Sequence, residues 1–115
     1  MLFALERGTM PKYLLEVSYS LEGIRGVKAK GGSARVAAAT ELIEGLGGTI
    51  ESFNFAFGGT DVYLIADFPD DVSAAAAALT VSAGGGATTR TVPLLTPAQV
   101  DDAVAKKSTY RPPGS

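Results

Sequence analysis

The sequence predicts an α+β fold in which a four-stranded antiparallel sheet carries helices on one face. Four segments alternate apolar and polar side chains with the period of two that is typical of strands. Helical segments, with apolar residues at helical spacing, separate the first strand from the second and the third from the fourth. The chain has 115 residues, which suits one domain better than two.

The first part of the chain is predicted to form one strand and two helical segments. Residues 12–19 alternate well enough to be a strand, and Ser20 then offers a helix N-cap. We expect this first helix to be short or broken, because it contains glycines. Ser33 is predicted to cap a second, stronger helix through Leu46, and the glycines at 47–48 end it.

A hairpin is predicted next. Residues 49–57 and 61–68 alternate as the second and third strands. The pair Gly58-Gly59 is predicted to make the turn between them, since glycine enters positive φ without penalty.

The last part of the chain contains two helices and one strand. Pro69-Asp70-Asp71 opens a helix with acidic residues at its positive end. Residues 87–95 form the predicted fourth strand, and Pro93 indicates an edge position because proline cannot donate to a ladder. Thr96-Pro97 begins a short helix through about Lys107. The order strand, helix, strand, strand, helix, strand is the ferredoxin-like βαββαβ pattern.

Both faces of the predicted sheet carry large apolar groups. Helices cover one face in this topology, and a second apolar face is hard to leave exposed. We therefore expect a homodimer or higher oligomer, built as a dimeric α+β barrel. The alternative is a monomer whose C-terminal helix folds over its own sheet. One face is predicted to hold Leu15, Val17, Phe53, Phe55, Leu64, Ala66 and Phe68, and the other Leu14, Ile50, Ile65, Val92 and Leu94 among the polar Glu16, Ser18, Asn54, Tyr63, Asp67 and Arg90.

Composition restricts the possible chemistry. The net charge is −2, from 10 basic and 12 acidic residues, which argues against a nucleic-acid footprint and a polybasic membrane patch. Cysteine and histidine are both absent, so thiolate nucleophiles and the commonest general base and metal ligand are absent too. We expect neither a metal nor a cofactor. No apolar run approaches the ~20 residues that cross a bilayer, and the start does not resemble a signal peptide, so a cytoplasmic location is expected.

The chain is predicted to be a single domain with short flanking segments. Residues 1–10 are expected to be a flexible extension, 11–107 the domain and 108–115 a flexible tail. A second methionine, Met10, precedes the first strand, so residues 1–9 need not belong to the native product.

A first candidate site is an anion-binding loop between the first two helices. A glycine pair before a helix start exposes backbone N–H groups, and the helix start favours an anion. The alternative is a solvated link with an ordinary cap. The residues concerned are Lys28, Lys30, Gly31, Gly32, Ser33 and Arg35.

A second candidate site is the mixed face of the sheet. Acids beside apolar groups can act as bases, and Tyr63 can donate to a developing oxyanion. If the protein is an enzyme, the catalytic candidates are Asp67, Tyr63 and Glu16, with Asn54 and Arg90 as ligand contacts. The alternative is a structural network in which Arg90 neutralises Glu16 or Asp67.

A third candidate is Asp61, directly after the predicted hairpin turn. A carboxylate here can accept N–H bonds and stabilise the hairpin, or it can contact a ligand at a barrel mouth. Asp70 and Asp71 are interpreted as helix-capping acids, since as a metal pair they lack further ligands.

Residues 57–70, FGGTDVYLIADFPD, resemble the signature of the GYD-domain family. In that family a Gly-Tyr-Asp triplet leads into an apolar strand, an acidic residue and Pro-Asp. Here Gly59 and Asp61 match, whereas Thr60 replaces the tyrosine, so no role of an aromatic hydroxyl carries over to that position. Residues 21–35 are also similar, and the resemblance covers roughly residues 11–95. It implies a small bacterial protein of ferredoxin-like fold, related to dimeric barrels, and no established activity.

Three functions remain open at this point. The preferred one is a ligand-binding or regulatory module that acts as a homo-oligomer and takes a small anionic molecule at the Gly31-Gly32 helix start. The second is a cofactor-independent enzyme, of monooxygenase or isomerase type, that uses the sheet-face pocket; this rests on fold analogy. The third is a purely structural assembly domain. No residue set matches a recognised catalytic constellation.

Overall fold

A computed structural model of the chain describes residues 10–114. In chain order it contains β1 Lys12–Tyr19, α1 Leu21–Lys30, α2 Gly32–Gly45, β2 Thr49–Phe55, β3 Val62–Asp67, α3 Asp71–Ala83, β4 Ala87–Leu94 and α4 Pro97–Ala105. Residues 1–9 of the predicted extension at 1–10 lie outside the described residues.

The four strands form one antiparallel sheet in the order β2-β3-β1-β4. This order confirms the predicted ferredoxin-like arrangement. β4 lies at one edge, and Pro93 stands within it opposite Tyr13 of β1, as the sequence predicted. An edge strand tolerates a residue that has no N–H to donate.

The core lies between one face of the sheet and helices α2 and α3. Alternate residues of β1 and β3 point into it, and Ile43 of α2 and the alanines of α3 close it from the other side. The small alanine side chains allow α3 to approach the strands closely. The buried cluster consists of Tyr13, Leu15, Ile43, Val62, Leu64, Ala66, Phe68, Ala74 and Ala77.

α1 is a continuous helix of ten residues, so of the two expected forms, short or broken, it is the short one. Ser20 caps it as predicted, since its hydroxyl accepts from the Gly23 N–H at 3.1 Å. Tertiary contact compensates for the poor helix propensity of glycine: the Ser20 N–H and hydroxyl both donate to the Gly86 carbonyl oxygen, at 2.9 and 3.2 Å. Gly23 therefore lies directly against the backbone of the segment that leads into β4.

The start of α2 differs from the prediction. The helix begins at Gly32 with Gly31 at the N-cap position, so Ser33 lies inside the first turn and does not cap it. Gly31 has φ 87°, a left-handed conformation that disfavours any side chain. Gly31 thus ends α1, where its N–H donates to Val27, and begins α2 at the same residue.

In the β2–β3 hairpin the strands are shorter, and the loop between them is longer, than predicted. Phe55 pairs with Val62, and residues 56–61 form the connecting loop. Neither Gly58 nor Gly59 has a positive φ, so the proposed tight glycine turn was wrong. The Phe57 side chain is fully exposed in this loop and does not continue the face shared by Phe53 and Phe55.

Ile50 lies on the face opposite to the one predicted. The register between β2 and β3 shifts between Ile50 and Ser52, which is the signature of a bulge at Glu51. The extra residue reverses the alternation, so Ile50 stands opposite Ala66 and packs against the core.

α4 has strong start signals, and none of its residues is buried against the rest of residues 10–114. Thr96 and Gln99 form a reciprocal capping box and proline occupies the first turn. Every residue of Pro97–Ala105 is exposed, and so are the Tyr63 and Arg90 side chains on the face of the sheet turned away from the core. A C-terminal helix folded over its own sheet is therefore not what this chain adopts.

None of the helices between residues 10 and 114 has the length and apolar character that crossing a membrane requires.

Candidate functional site

The predicted anion-binding residues divide between different surfaces. Lys30, Gly31 and Arg35 line a groove of about 350 Å³ at the α1–α2 junction, here called the junction groove, together with the small residues Gly26, Ala34 and Ala38. Gly32 instead lines a recess between α1 and the loop at 56–61, here called the loop groove. Lys28 and Ser33 line neither. The structure therefore brings two of the three predicted cations together.

A third recess lies on the core side of the sheet. Between β1, β3 and β4 on one side and α2 and α3 on the other, an opening of about 280 Å³ remains, here called the helix-face cavity. Its walls are mainly apolar, from residues such as Leu15, Leu42, Phe53, Leu64 and Val81. Sequence reasoning missed it. The one signal was the excess of small residues, since alanines and glycines at helix positions leave volume that larger side chains would fill.

Arg35 is the residue that connects these two features. It lines both the junction groove and the helix-face cavity. Between residues 10 and 114, the ion pairs within 4.0 Å are both made by Lys12, so no carboxylate of this range neutralises the Arg35 guanidinium. Arg35 is exposed, which leaves its planar set of donors available to a carboxylate or phosphate.

The charge of Arg35 also acts on Tyr19, the last residue of β1. Burial raises the pKa of the Tyr19 hydroxyl, the nearby Arg35 opposes this shift, and the carboxylate of Asp61 adds to it. Tyr19 lines the helix-face cavity as well. The phenol therefore stays protonated at neutral pH and can donate a hydrogen bond at this end of the cavity.

Asp61 connects the hairpin loop to β1 through hydrogen bonds. Its carboxylate accepts the Tyr19 N–H at 2.8 Å, and its own N–H donates to the Val17 carbonyl at 2.9 Å. Its carbonyl accepts from Ala56 across the loop at 2.8 Å. These bonds support the structural interpretation of Asp61, although its side chain also borders the loop groove.

The second predicted set lies on the face of the sheet turned away from the core, here called the open face. Glu16 stands opposite Tyr63 and Arg90 on its two neighbouring strands, and Asn54 stands opposite Tyr63. The proposed neutralisation by Arg90 does not occur within 4.0 Å between residues 10 and 114. These four residues form one polar patch.

Asp67 is separate from that patch. It pairs with Lys12 at 2.9 Å, and Lys12 also contacts Glu51. Hydrogen bonds to Glu51 and Asp67 raise the pKa of Lys12, which stays charged. Asp67 thus has Lys12 as a cationic partner. The hypothesis that Asp67 is a catalytic base did not include this ion pair.

A buried tyrosine contacts the acidic start of α3. Burial raises the pKa of Tyr13 to about 12, and its hydrogen bond to the Asp71 carboxylate acts in the same direction. Asp70 caps α3 by accepting the Ser73 N–H at 2.8 Å. Asp70 therefore caps the helix as expected, whereas Asp71 accepts from the Tyr13 hydroxyl and does not act as a cap. Across the described part of the chain, no group of three or more carboxylates is arranged to hold a metal ion.

The fold and its surfaces define a small ferredoxin-like α+β domain with recesses on the helix side of its sheet. A family model places it further: the GYD domain matches residues 13–104. This chain therefore belongs to the GYD-domain family, as its signature residues suggested, and the match extends through most of α4. No curated protein and no solved structure is significantly similar to it.

Proposed function

We propose that this GYD domain is a non-catalytic, homo-oligomeric module that binds a small anionic molecule at Arg35. The observation that carries the proposal is the position of this guanidinium, which borders both the junction groove and the helix-face cavity without a carboxylate partner from residues 10–114. An arginine in such a position is suited to bidentate recognition of a planar anion. Lys30 on the junction groove adds positive charge on the same side.

The backbone at the α1–α2 junction favours the same kind of ligand. Gly31 begins α2 without any side-chain cap, so the first N–H groups of this helix have no side-chain acceptor at the N-cap. A helix start also carries partial positive charge. This is a supporting effect, whereas the directional contact comes from Arg35.

Replacing Arg35 by alanine is expected to weaken anion binding strongly while leaving the fold intact. Loss of a charge-assisted pair of this type weakens binding by about ten- to a hundredfold. The measurement is calorimetric titration, at constant ionic strength, with inorganic phosphate, acetate, benzoate and octanoate. Arg25→Ala is the matched control, because Arg25 is an exposed arginine of α1 that borders none of the three recesses.

Wild type and Arg25→Ala should bind at least one of these anions with equal affinity. Binding that persists unchanged in Arg35→Ala contradicts the proposal, and so does the absence of binding of every anion to the wild type. Circular dichroism of each variant shows that a lost signal reflects the site and not unfolding.

The oligomer is proposed to form through the open face. Leu14, Ile65 and Val92 are adjacent across three strands of this face, and they are only half-buried in one chain. The side chains of Val100 and Val104 on α4 are exposed and add apolar surface. A second copy of the chain covers both at once.

Ile65→Glu is expected to convert a dimer into a monomer at micromolar concentration, because a charge buried between two sheets lacks a partner. Sedimentation velocity measures the change. Val72→Glu serves as the control, since Val72 is 78% exposed on α3, away from the sheet. The proposal is wrong if the wild type sediments as a monomer, or if Ile65→Glu remains as dimeric as Val72→Glu.

A further inference from the structure

We infer that the helix-face cavity receives the apolar body of a hydrophobic carboxylate whose charged end contacts Arg35. This inference rests on the proposed function and names the chemical class of the ligand. It also assigns a separate role to the cavity, as the part of the site that selects for an apolar group. The grounds are the size of the cavity, the nature of its walls and the position of its polar atoms.

The size of the cavity suits a compact organic molecule. It measures about 280 Å³, whereas roughly 150 Å³ suffices to hold a benzene ring in a protein interior. A phenyl ring with a short chain, or an alkyl chain of medium length, therefore fits. The cavity is partly open to solvent, so a ligand can enter it from outside.

The walls favour an apolar occupant over water. Leu15, Leu42, Phe53 and Leu64 supply side chains without polar atoms, and small groups from the helices are contributed by Gly23, Ala39 and Ala77. A water molecule in such a space finds few of the two to four hydrogen-bond partners that hold buried water in place. Filling the space with hydrocarbon removes apolar surface from water and is favourable.

The charge at the cavity specifies a single anionic group. Among the side chains that line it, Arg35 is the one with a formal charge. One guanidinium matches one carboxylate through two parallel hydrogen bonds, whereas a doubly charged phosphate is better served by several cations. The lining is thus apolar over most of its surface and cationic at Arg35. An amphipathic carboxylate, which has an apolar body and one anionic end, complements such a lining.

A second polar contact is available on β4. Thr89 lines the cavity, and its Oγ1 atom is buried without a hydrogen-bond partner between residues 10 and 114. Buried hydroxyls are usually paired, so an unpaired one at a cavity points to a ligand atom that completes it. Thr91 has a similarly unpaired hydroxyl but does not line the cavity, and it therefore provides an internal comparison.

The test is a titration of the wild-type chain with straight-chain carboxylates from acetate to decanoate. Affinity is expected to rise by about fourfold for each CH₂ group that enters the cavity, and then to level off when the cavity is full. Octanol, which has the chain but not the charge, should bind more weakly than octanoate. Arg35→Ala should remove that difference.

Ala39→Leu supplies an independent readout. Ala39 lines the cavity from α2, and a leucine there occupies the volume, so the gain in affinity with chain length should flatten while acetate binding stays unchanged. Ala37→Leu is the matched control, because Ala37 is exposed on the same helix and lines no recess described above. Thr89→Val, compared with Thr91→Val, tests whether the buried hydroxyl contacts ligands that carry a hydroxyl group in addition to the carboxylate, such as hydroxyoctanoates.

The outcomes separate this inference from the function on which it rests. If acetate and octanoate bind equally and both depend on Arg35, anion binding stands and the cavity inference is overturned. If octanol binds as well as octanoate in wild type and in Arg35→Ala, the cavity binds apolar molecules without selecting carboxylates, which also overturns it. If no anion binds at all, the proposed function itself is wrong. The chain-length series needs no variant, so poor folding of Ala39→Leu does not prevent the test.

Discussion

Replacing Gly23 by alanine is expected to destabilise the domain by about 3 kcal/mol, because the added methyl group has no space. A Cβ atom at this position would lie 1.9 Å from the Gly86 carbonyl oxygen and 2.9 Å from its carbonyl carbon. Both are backbone atoms, so no rotamer change relieves the overlap. α1 must move away, and the bonds from Ser20 to the same carbonyl, at 2.9 and 3.2 Å, are lost with that movement.

Gly26→Ala is the control for this prediction. It makes the same change three residues later in the same helix, where nothing lies within 4 Å of an added Cβ atom. Alanine should stabilise α1 there by up to about 1 kcal/mol, since it has a higher helix propensity than glycine. Urea unfolding followed by circular dichroism measures both variants. Equal unfolding midpoints for the two would show that the Gly23–Gly86 approach is not a tight contact.

Truncating Phe68 to alanine is expected to cost about 3–5 kcal/mol of unfolding free energy. The Phe68 side chain is completely buried, and its ring meets that of Tyr13 edge to face, with centroids 5.7 Å apart and an angle of 69° between the rings. Removing it loses the buried apolar area, leaves a cavity and deletes the aromatic pair. Small domains are stable by roughly 5–15 kcal/mol, so this single change removes a large share.

The same substitution at Phe57 provides the comparison. Phe57 is fully exposed in the 56–61 loop, and Phe57→Ala should change stability by no more than about 0.5 kcal/mol. Denaturant titration at equal protein concentration keeps any contribution from self-association constant. A Phe68→Ala midpoint close to that of Phe57→Ala would contradict the assignment of Phe68 to the core.

The fold was largely predictable because its signals are local in sequence. Alternation marked β1 and β3, Ser20 and Asp70 marked helix starts, and Pro93 marked an edge strand. The errors concern the N-cap of α2, the turn of the β2–β3 hairpin and the register of β2. The bulge at Glu51 moves Ile50 to the core face. The alternation of apolar and polar residues does not indicate where a strand contains an unpaired residue.

The candidate site was predictable only in part. Lys30, Gly31 and Arg35 were selected from the sequence and do share one groove. The helix-face cavity was not found, because an empty volume depends on how closely helices approach strands, and no residue type encodes that distance by itself. Glu16, Asn54, Tyr63 and Arg90 lie near one another on the open face, whereas Asp67 lies at the end of β3, where it pairs with Lys12.

What the sequence determined alone is the succession of strands and helices, the edge position of β4 and the membership of the GYD family. These follow from periodicity, caps and short motifs, which act over a few neighbouring residues. The tertiary structure alone decided that Gly23 meets Gly86, that Arg35 borders two recesses and that a cavity remains beneath the helices. Such contacts join residues far apart along the chain, and their distances are set by the packing of whole elements against each other.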